Sequence, residues 1–195
     1  MEQLSPAERF AKAKATKQPR TLQSFLDGIA FGLDDFQVEA CNALAAGSGV
    51  LVAAPTGAGK TIVGEFAIHL AIETNQKVFY TTPIKALSNQ KYLELLAKYG
   101  ADRVGLLTGD TNQNADAQIV VMTTEVLRNM IYANSNNLIS LGFVVMDEVH
   151  YLADKFRGAV WEEVLIHLME SVQVISLSAT GSNAEEFGEW LGEVR

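Results

Sequence analysis

Cysteine is almost missing. Cys41 is the only one in 195 residues, which excludes intrachain disulfides and cysteine-rich zinc sites and leaves the thiol a role in helix packing. Long hydrophobic runs are missing too. No apolar stretch approaches the roughly 20 residues that a bilayer demands, and no signal-peptide pattern opens the chain. These absences predict a cytoplasmic protein with no membrane partner. Positive charge is in short supply: 15 Lys and Arg face 23 Asp and Glu, and the net charge of −8 excludes wholesale coating of nucleic acid. The cations are unevenly spread, however. Five of them against two acids give residues 1–20 a net +3, so the remainder carries −11. That aperiodic basic lead-in is expected to be a flexible tail. The acidic body can still hold a nucleic-acid groove, which needs only local positive charge and helix N-termini. His69 and His167 have no partner at metal-ligand spacing, so both are expected to be structural.

What is present is a 48% hydrophobic, 19% charged composition proper to a globular chain, with length for one core over residues 21–195. Short apolar runs alternate with stretches of helical periodicity. Strands are predicted at Val50–Ala53, Lys77–Thr82, Arg103–Thr108, Gln118–Met122, Phe143–Met146 and Val172–Leu177. Helices are predicted between them, the first capped by Asp34 or Asp35 and ending at Gly47. Another begins with Thr82 as N-cap and Pro83 at its first position and stops at Gly100. Later helices are expected from about 124 to 132, 160 to 169 and 184 to 191, and residues 111–117 read as a loop. The alternation predicts an α/β fold: a doubly wound, mainly parallel sheet in a RecA-like order, in a single domain without repeats.

The chain is organised around Ala54-Pro55-Thr56-Gly57-Ala58-Gly59-Lys60-Thr61, set between a predicted strand and a predicted helix. That context is what a phosphate-binding loop requires. Gly57 and Gly59 let successive N–H groups point at one anion, and the helix beginning near Lys60 adds its positive dipole end. Lys60 is placed to reach the β- and γ-phosphates of a nucleoside triphosphate, and the Thr61 hydroxyl to ligate Mg²⁺. An ordinary Gly-rich turn is the alternative, but a loose match to this spacing arises by chance only about once per hundred chains of average composition.

Other segments add to this loop. The strand Phe143–Met146 ends in Asp147-Glu148, and carboxylates at the C-terminal edge of a parallel sheet face the ligand crevice. Asp147 suits Mg²⁺, and Glu148 can polarise an attacking water. Ahead of the loop, Phe31 could stack on a purine ring while the Gln37 amide offers a donor and an acceptor to adenine; without a supporting motif, Phe31 reads as a core residue. Lys85 falls in the first turn of a helix, where the dipole disfavours a cation; it fits either a solvated lysine without a partner or one that shares the spot with an external anion. Thr123 and Thr124 open a further helix with Arg128 one turn on, which fits either plain capping or a second phosphate contact.

Asp147-Glu148-Val149-His150 resembles motif II of the DExH-box helicases of superfamily 2, and residues 54–61 resemble their motif I. The run from Thr82-Pro83 to Gln90 resembles motif Ia, Thr123 to Arg128 motif Ib, and Ser178-Ala179-Thr180 motif III. Asp147 to Tyr151, Arg157 to Glu163 and the Gly109-Asp110 stretch are similar to the superkiller-type RNA helicases, which include exosome-associated enzymes and bacterial relatives. Pro55 and Gly57 stand where eukaryotic members often carry His and Ser, which favours the bacterial or organellar branch.

The resemblance implies an ATPase that moves on single-stranded RNA and unwinds 3′ to 5′. It implies catalytic roles for Lys60, Asp147, Glu148 and His150, with ATP held by Phe31, Gln37 and residues Pro55, Thr56, Gly57, Ala58, Gly59, Lys60 and Thr61. Mg²⁺ would fall to Thr61 and Asp147. The nucleic-acid backbone would lie along Pro83, Lys85, Gly109, Asp110, Thr123, Thr124 and Arg128, with Ser178 and Thr180 coupling nucleotide state to grip. The similarity ends after motif III, so a second RecA-like domain is an expected partner, as is RNA-degradation machinery. Two alternatives stay open: a DNA helicase of the same superfamily, and a nucleotide-binding interaction module without turnover.

Overall fold

The inner strands of this chain are buried along almost their whole length, with no alternation between a buried and an exposed face. Ile119–Thr123, Leu141–Met146 and Val104–Thr108 are buried at every position. Strands of this kind need cover on both faces, which parallel sheets with crossover helices provide. The computed structural model describes residues 20–149, 158–179 and 188–192 and has this architecture. Its helices are α1 (Arg20–Leu26), α2 (Asp35–Ala45), α3 (Thr61–Glu73), α4 (Lys85–Tyr99), α5 (Thr124–Tyr132) and α6 (Gly158–His167). Its strands are β1 (Val50–Ala53), β2 (Lys77–Thr82), β3 (Val104–Thr108), β4 (Thr111–Gln113), β5 (Ile119–Thr123), β6 (Leu141–Met146) and β7 (Gln173–Ser178).

The seven strands run in the order β1-β7-β6-β2-β5-β3-β4, all parallel except β4, which pairs antiparallel with β3. Successive strand side chains point to opposite faces. Val78 and Tyr80 therefore join one cluster with Phe66 and Leu70 of α3 and Leu95 of α4, while Phe79 joins the other with Leu127 of α5 and Trp161 and Leu165 of α6. Two apolar layers thus clamp one sheet. Because six strands are parallel, the C-terminal ends of β1, β2, β5, β6 and β7 open onto one edge, where Ala53 lies beside Ser178 and Thr82 beside Thr123.

Local details differ from the sequence reading in four places. The helix after β2 starts at Lys85 with Ile84 as N-cap, not at Pro83. Thr82 stays in the strand, and its hydroxyl bonds the Ile84 carbonyl at 3.1 Å and the Ser88 hydroxyl at 2.7 Å. Part of the expected loop 111–117 is the strand β4, closed onto β3 through Gly109-Asp110. The helix expected over 160–169 is α6, two residues earlier. Phe31 is not core, being 59% exposed. Of the helix expected near 184–191, residues 188–192 are helical and the rest lies outside the described residues. Among the described residues no helix is long and apolar enough to cross a membrane.

Candidate functional site

The glycine-rich loop leaves β1 and turns into α3. Gly57 and Gly59 have φ of +86° and +77°, a region that only glycine enters at no cost. A side chain at Gly59 would also meet the Gln37 amide nitrogen at 2.6 Å. The Lys60 ammonium folds back over the loop, donating to the Ala54 carbonyl at 2.7 Å and the Pro55 carbonyl at 3.0 Å. It therefore stands at the mouth of the loop, where an incoming phosphate could exchange for two carbonyl oxygens.

Gln37 ties the loop to α2. Its side-chain oxygen accepts from the Asp34 N–H at 2.9 Å, the return half of a capping box. Its amide nitrogen donates to the Gly59 carbonyl at 3.0 Å and, more weakly, to that of Ala58 at 3.4 Å. Only 4% of Gln37 is exposed, whereas Phe31 stands in solvent on the segment ahead of α2. The donor and acceptor expected to face adenine are thus both engaged within the chain.

At the end of β6 the chain bends sharply. Asp147 N–H donates to the Thr81 carbonyl at 2.9 Å, and Glu148 follows at φ +57°. A left-handed glutamate stores strain of about 1–3 kcal/mol, a feature that clusters at functional sites. Both Asp147 carboxylate oxygens are held: Oδ1 accepts from the Glu148 N–H at 2.9 Å and Oδ2 from the Tyr80 hydroxyl at 2.7 Å. Burial, and then the charge of Asp147, push the Tyr80 hydroxyl well above its ordinary pKa, so it stays a donor. Asp147, Glu148 and Thr61, the first residue of α3, line one cavity of about 420 Å³ together with Glu65, Thr82, Gln90, Lys91 and Glu94. A hydroxyl and carboxylates converging beside a phosphate-type loop are the oxygen donors that Mg²⁺ takes, so the residues fit that ion.

Along the same sheet edge run the residues expected to meet nucleic acid. Pro83 follows β2, and Gly109-Asp110 forms the turn between β3 and β4. Lys85 does meet an anion, but an internal one: it is ion-paired with Asp110, whose carboxyl is lowered by that hydrogen bond and a second from Thr108. Thr123 is the N-cap of α5 without a side-chain cap bond. Thr124 is buried and donates to the Thr82 carbonyl at 3.3 Å, which ties the start of α5 to the end of β2. Arg128 leans on Glu163 of α6 at 3.7 Å. Ser178 ends β7 and donates to the Ala179 carbonyl at 2.9 Å. His150 and Thr180 lie outside the described residues. Tyr80 was missed from sequence. Its signal was a tyrosine in a buried strand, where the hydroxyl needs a partner.

Fold and site together define a P-loop nucleotide-binding domain of the RecA-like class. Residues 34–187 match the DEAD/DEAH box helicase family, and the chain belongs to it. Over 174 residues it is 63% identical to the probable helicase HelY of Mycobacterium tuberculosis, covering 89% of this chain and 19% of that protein. It is 49% identical over 170 residues to the chloroplastic DExH-box ATP-dependent RNA helicase DExH15 of Arabidopsis thaliana, covering 84% and 14%. To the antiviral helicase SKI2 of Saccharomyces cerevisiae it is 48% identical over 165 residues, covering 85% and 13%. The chain therefore spans 13–19% of the length of these curated relatives. A crystal structure of a hypothetical ATP-dependent RNA helicase from Sulfolobus tokodaii shares the fold, with a TM-score of 0.67 at 20% identity over 91% of this chain and 55% of that one.

Proposed function

We propose that this chain is the ATP-binding motor domain of an ATP-dependent RNA helicase that hydrolyses ATP to ADP and phosphate and travels 3′ to 5′ on a single strand. The observation that carries the proposal is the convergence of Thr61, Asp147 and Glu148 on one cavity, at the sheet edge that also bears Lys85, Asp110 and Thr123. The phosphates enter the loop at residues 55–60, and Lys60 trades its two carbonyl contacts for the β- and γ-phosphates. Thr61 and Asp147 hold Mg²⁺, which when bound neutralises charge developing on the phosphate oxygens. Glu148 takes the proton of the attacking water. His150, which follows Val149 in the sequence, is proposed to take part in the catalysis. The nucleic-acid strand lies on Pro83, Lys85, Gly109, Asp110, Thr123, Thr124 and Arg128 through its backbone, without reading sequence. Ser178 and Thr180 relay nucleotide state to that grip, Ser178 from a position beside Ala53 at the root of the loop. Phe31, free in solvent, is available to stack on adenine. The cytoplasm is the proposed location.

A second RecA-like domain supplies the opposite wall of the cleft and the arginines that meet the transferred phosphoryl group. Such fingers are worth about 10³ to 10⁵ in rate in P-loop NTPases. The 195-residue chain alone is accordingly expected to bind ATP weakly and to turn it over barely above background. The test is steady-state ATPase with saturating single-stranded RNA, and with DNA of the same sequence, on this chain and on a polypeptide extended to its relatives' length. RNA-stimulated turnover confined to the extended protein supports the proposal. Stimulation by DNA alone would replace RNA with DNA, and no turnover in either polypeptide would leave a binding module.

A further inference from the structure

The Asp147 carboxylate is fixed by a residue that no nucleotide-binding motif contains. Tyr80 lies in the middle of β2 and its Cα is registered with that of Val145 on β6. Asp147 is two residues beyond Val145, about 6.6 Å further along at the rise of a strand. The tyrosine side chain bridges that distance, and its hydroxyl donates to Asp147 Oδ2 at 2.7 Å. The ring itself is immobilised. It is fully buried, and the Lys91 ammonium stands 5.4 Å from its centroid. Across from it is Gly64 of α3, one turn past Thr61, where an added Cβ would come within 3.3 Å of the Tyr80 ring and 3.2 Å of Val145. The helix that presents Thr61 thus has a bare patch where the tyrosine passes beneath it.

We propose that Tyr80 is a positioning residue for the divalent cation: by holding Oδ2 while the Glu148 N–H holds Oδ1, it presents the remaining lone pairs of Asp147 to Mg²⁺ in one orientation. This inference rests on the assignment of Asp147 to Mg²⁺ made above. It follows from the general behaviour of metal sites, where ligating carboxylates are themselves hydrogen-bonded and loss of such a partner weakens metal affinity by about 10- to 100-fold. Without the hydroxyl, the carboxylate keeps one tether of two and can rotate about it. A merely space-filling tyrosine would affect folding and leave the cation alone.

The test is Mn²⁺ binding to the protein, followed by electron paramagnetic resonance with a non-hydrolysable ATP analogue at saturation, for the unmodified chain, Tyr80→Phe, Asp147→Asn and the double variant. Tyr80→Phe is expected to weaken Mn²⁺ by about tenfold while analogue affinity measured in EDTA stays unchanged. Added to Asp147→Asn, it should cost no more, because the hydroxyl acts only through that carboxylate. If Asp147→Asn weakens Mn²⁺ and Tyr80→Phe leaves it within about twofold, Tyr80 only fills space and the inference is wrong. If Asp147→Asn changes nothing, the assignment of Asp147 has failed, and the inference falls with it. Should Tyr80→Phe lose its folded circular dichroism signal, Gly64→Ala keeps the hydroxyl and crowds the ring. It is then expected to weaken Mn²⁺ in the same direction, and unchanged affinity would overturn the inference.

Discussion

Replacing Gln37 by alanine decides between two jobs for one side chain. Two good hydrogen bonds vanish, from the Asp34 N–H at 2.9 Å and to the Gly59 carbonyl at 3.0 Å, and the 3.4 Å contact to Ala58 goes with them. Each neutral bond is worth about 0.5–1.5 kcal/mol net, so Gln37→Ala should lower stability by about 1–3 kcal/mol. The loss is concentrated at the phosphate loop, which is left attached to α2 by fewer bonds. Urea unfolding read by circular dichroism gives the first number. Titration with ATP and with GTP gives the second, where each tenfold in affinity is about 1.4 kcal/mol. If Gln37 acts as a brace, both nucleotides weaken together and the ATP-to-GTP ratio holds. If it turns to the adenine edge when ATP binds, the ratio collapses towards one while the triphosphate contribution persists. An unchanged urea midpoint would refute the bracing argument, and equal affinity for ATP and GTP in the unmodified protein would refute the adenine pocket.

Glu148→Gln should keep nucleotide binding and lower ATP turnover in the extended enzyme by about 10² to 10⁴, because it removes the proposed base and leaves shape nearly intact; single-turnover phosphate release measures this. Asp110→Asn frees Lys85 from its ion pair and removes a negative charge from the edge proposed to carry nucleic acid. RNA binding should strengthen, and its dependence on log salt should steepen by about 0.7 if Lys85 then neutralises one more phosphate. The carboxyl of Asp110 is lowered from 3.8, so the pairing is complete above that pH and dissolves only as pH falls through the lowered value. Acid titration of RNA binding between pH 5 and 8 should therefore show no step from this pair. Cys41 is buried and its thiol is pushed up to about 12, so alkylation by iodoacetamide at pH 8.5 should proceed only after unfolding.

The positions of the six parallel strands were legible because their runs are short, mostly apolar and bounded by polar turns, whereas β4, polar throughout, read as loop; the glycine-rich loop was legible because its glycines sit between a strand and a helix. The site residues of β1 and β6 follow from the same pattern, since a parallel sheet sends all its strand ends to one edge. What escaped notice depends on tertiary pairing. Thr82-Pro83 has the chemistry of a helix start, yet the register of Thr82 with Thr123 keeps it in the strand and delays α4 to Lys85. Lys85 read as either a solvated cation or one sharing its place with an external anion, and only the hairpin β3–β4 shows Asp110 in that place. Phe31 has the composition of core and the exposure of surface, a distinction that a single sequence does not carry. Tyr80 was legible as buried, but its partner lies 67 residues away in the chain.

The short strand β4 bears on how the domain behaves in crowded solution. A sheet normally ends in a row of unpaired N–H and C=O groups that can recruit another chain. Here the last strand beyond β3 is only three residues long, Thr111-Asn112-Gln113, polar throughout and followed by Asn114 at φ +47°, which turns the backbone away. The buried apolar ladder of β3 is thereby sealed beneath a strip too brief and too hydrophilic to template edge-to-edge stacking. Shortening the hairpin by deleting 111–113 would expose β3 as a flat apolar edge, and the expected symptom is aggregation during expression, before any enzymatic defect could be measured.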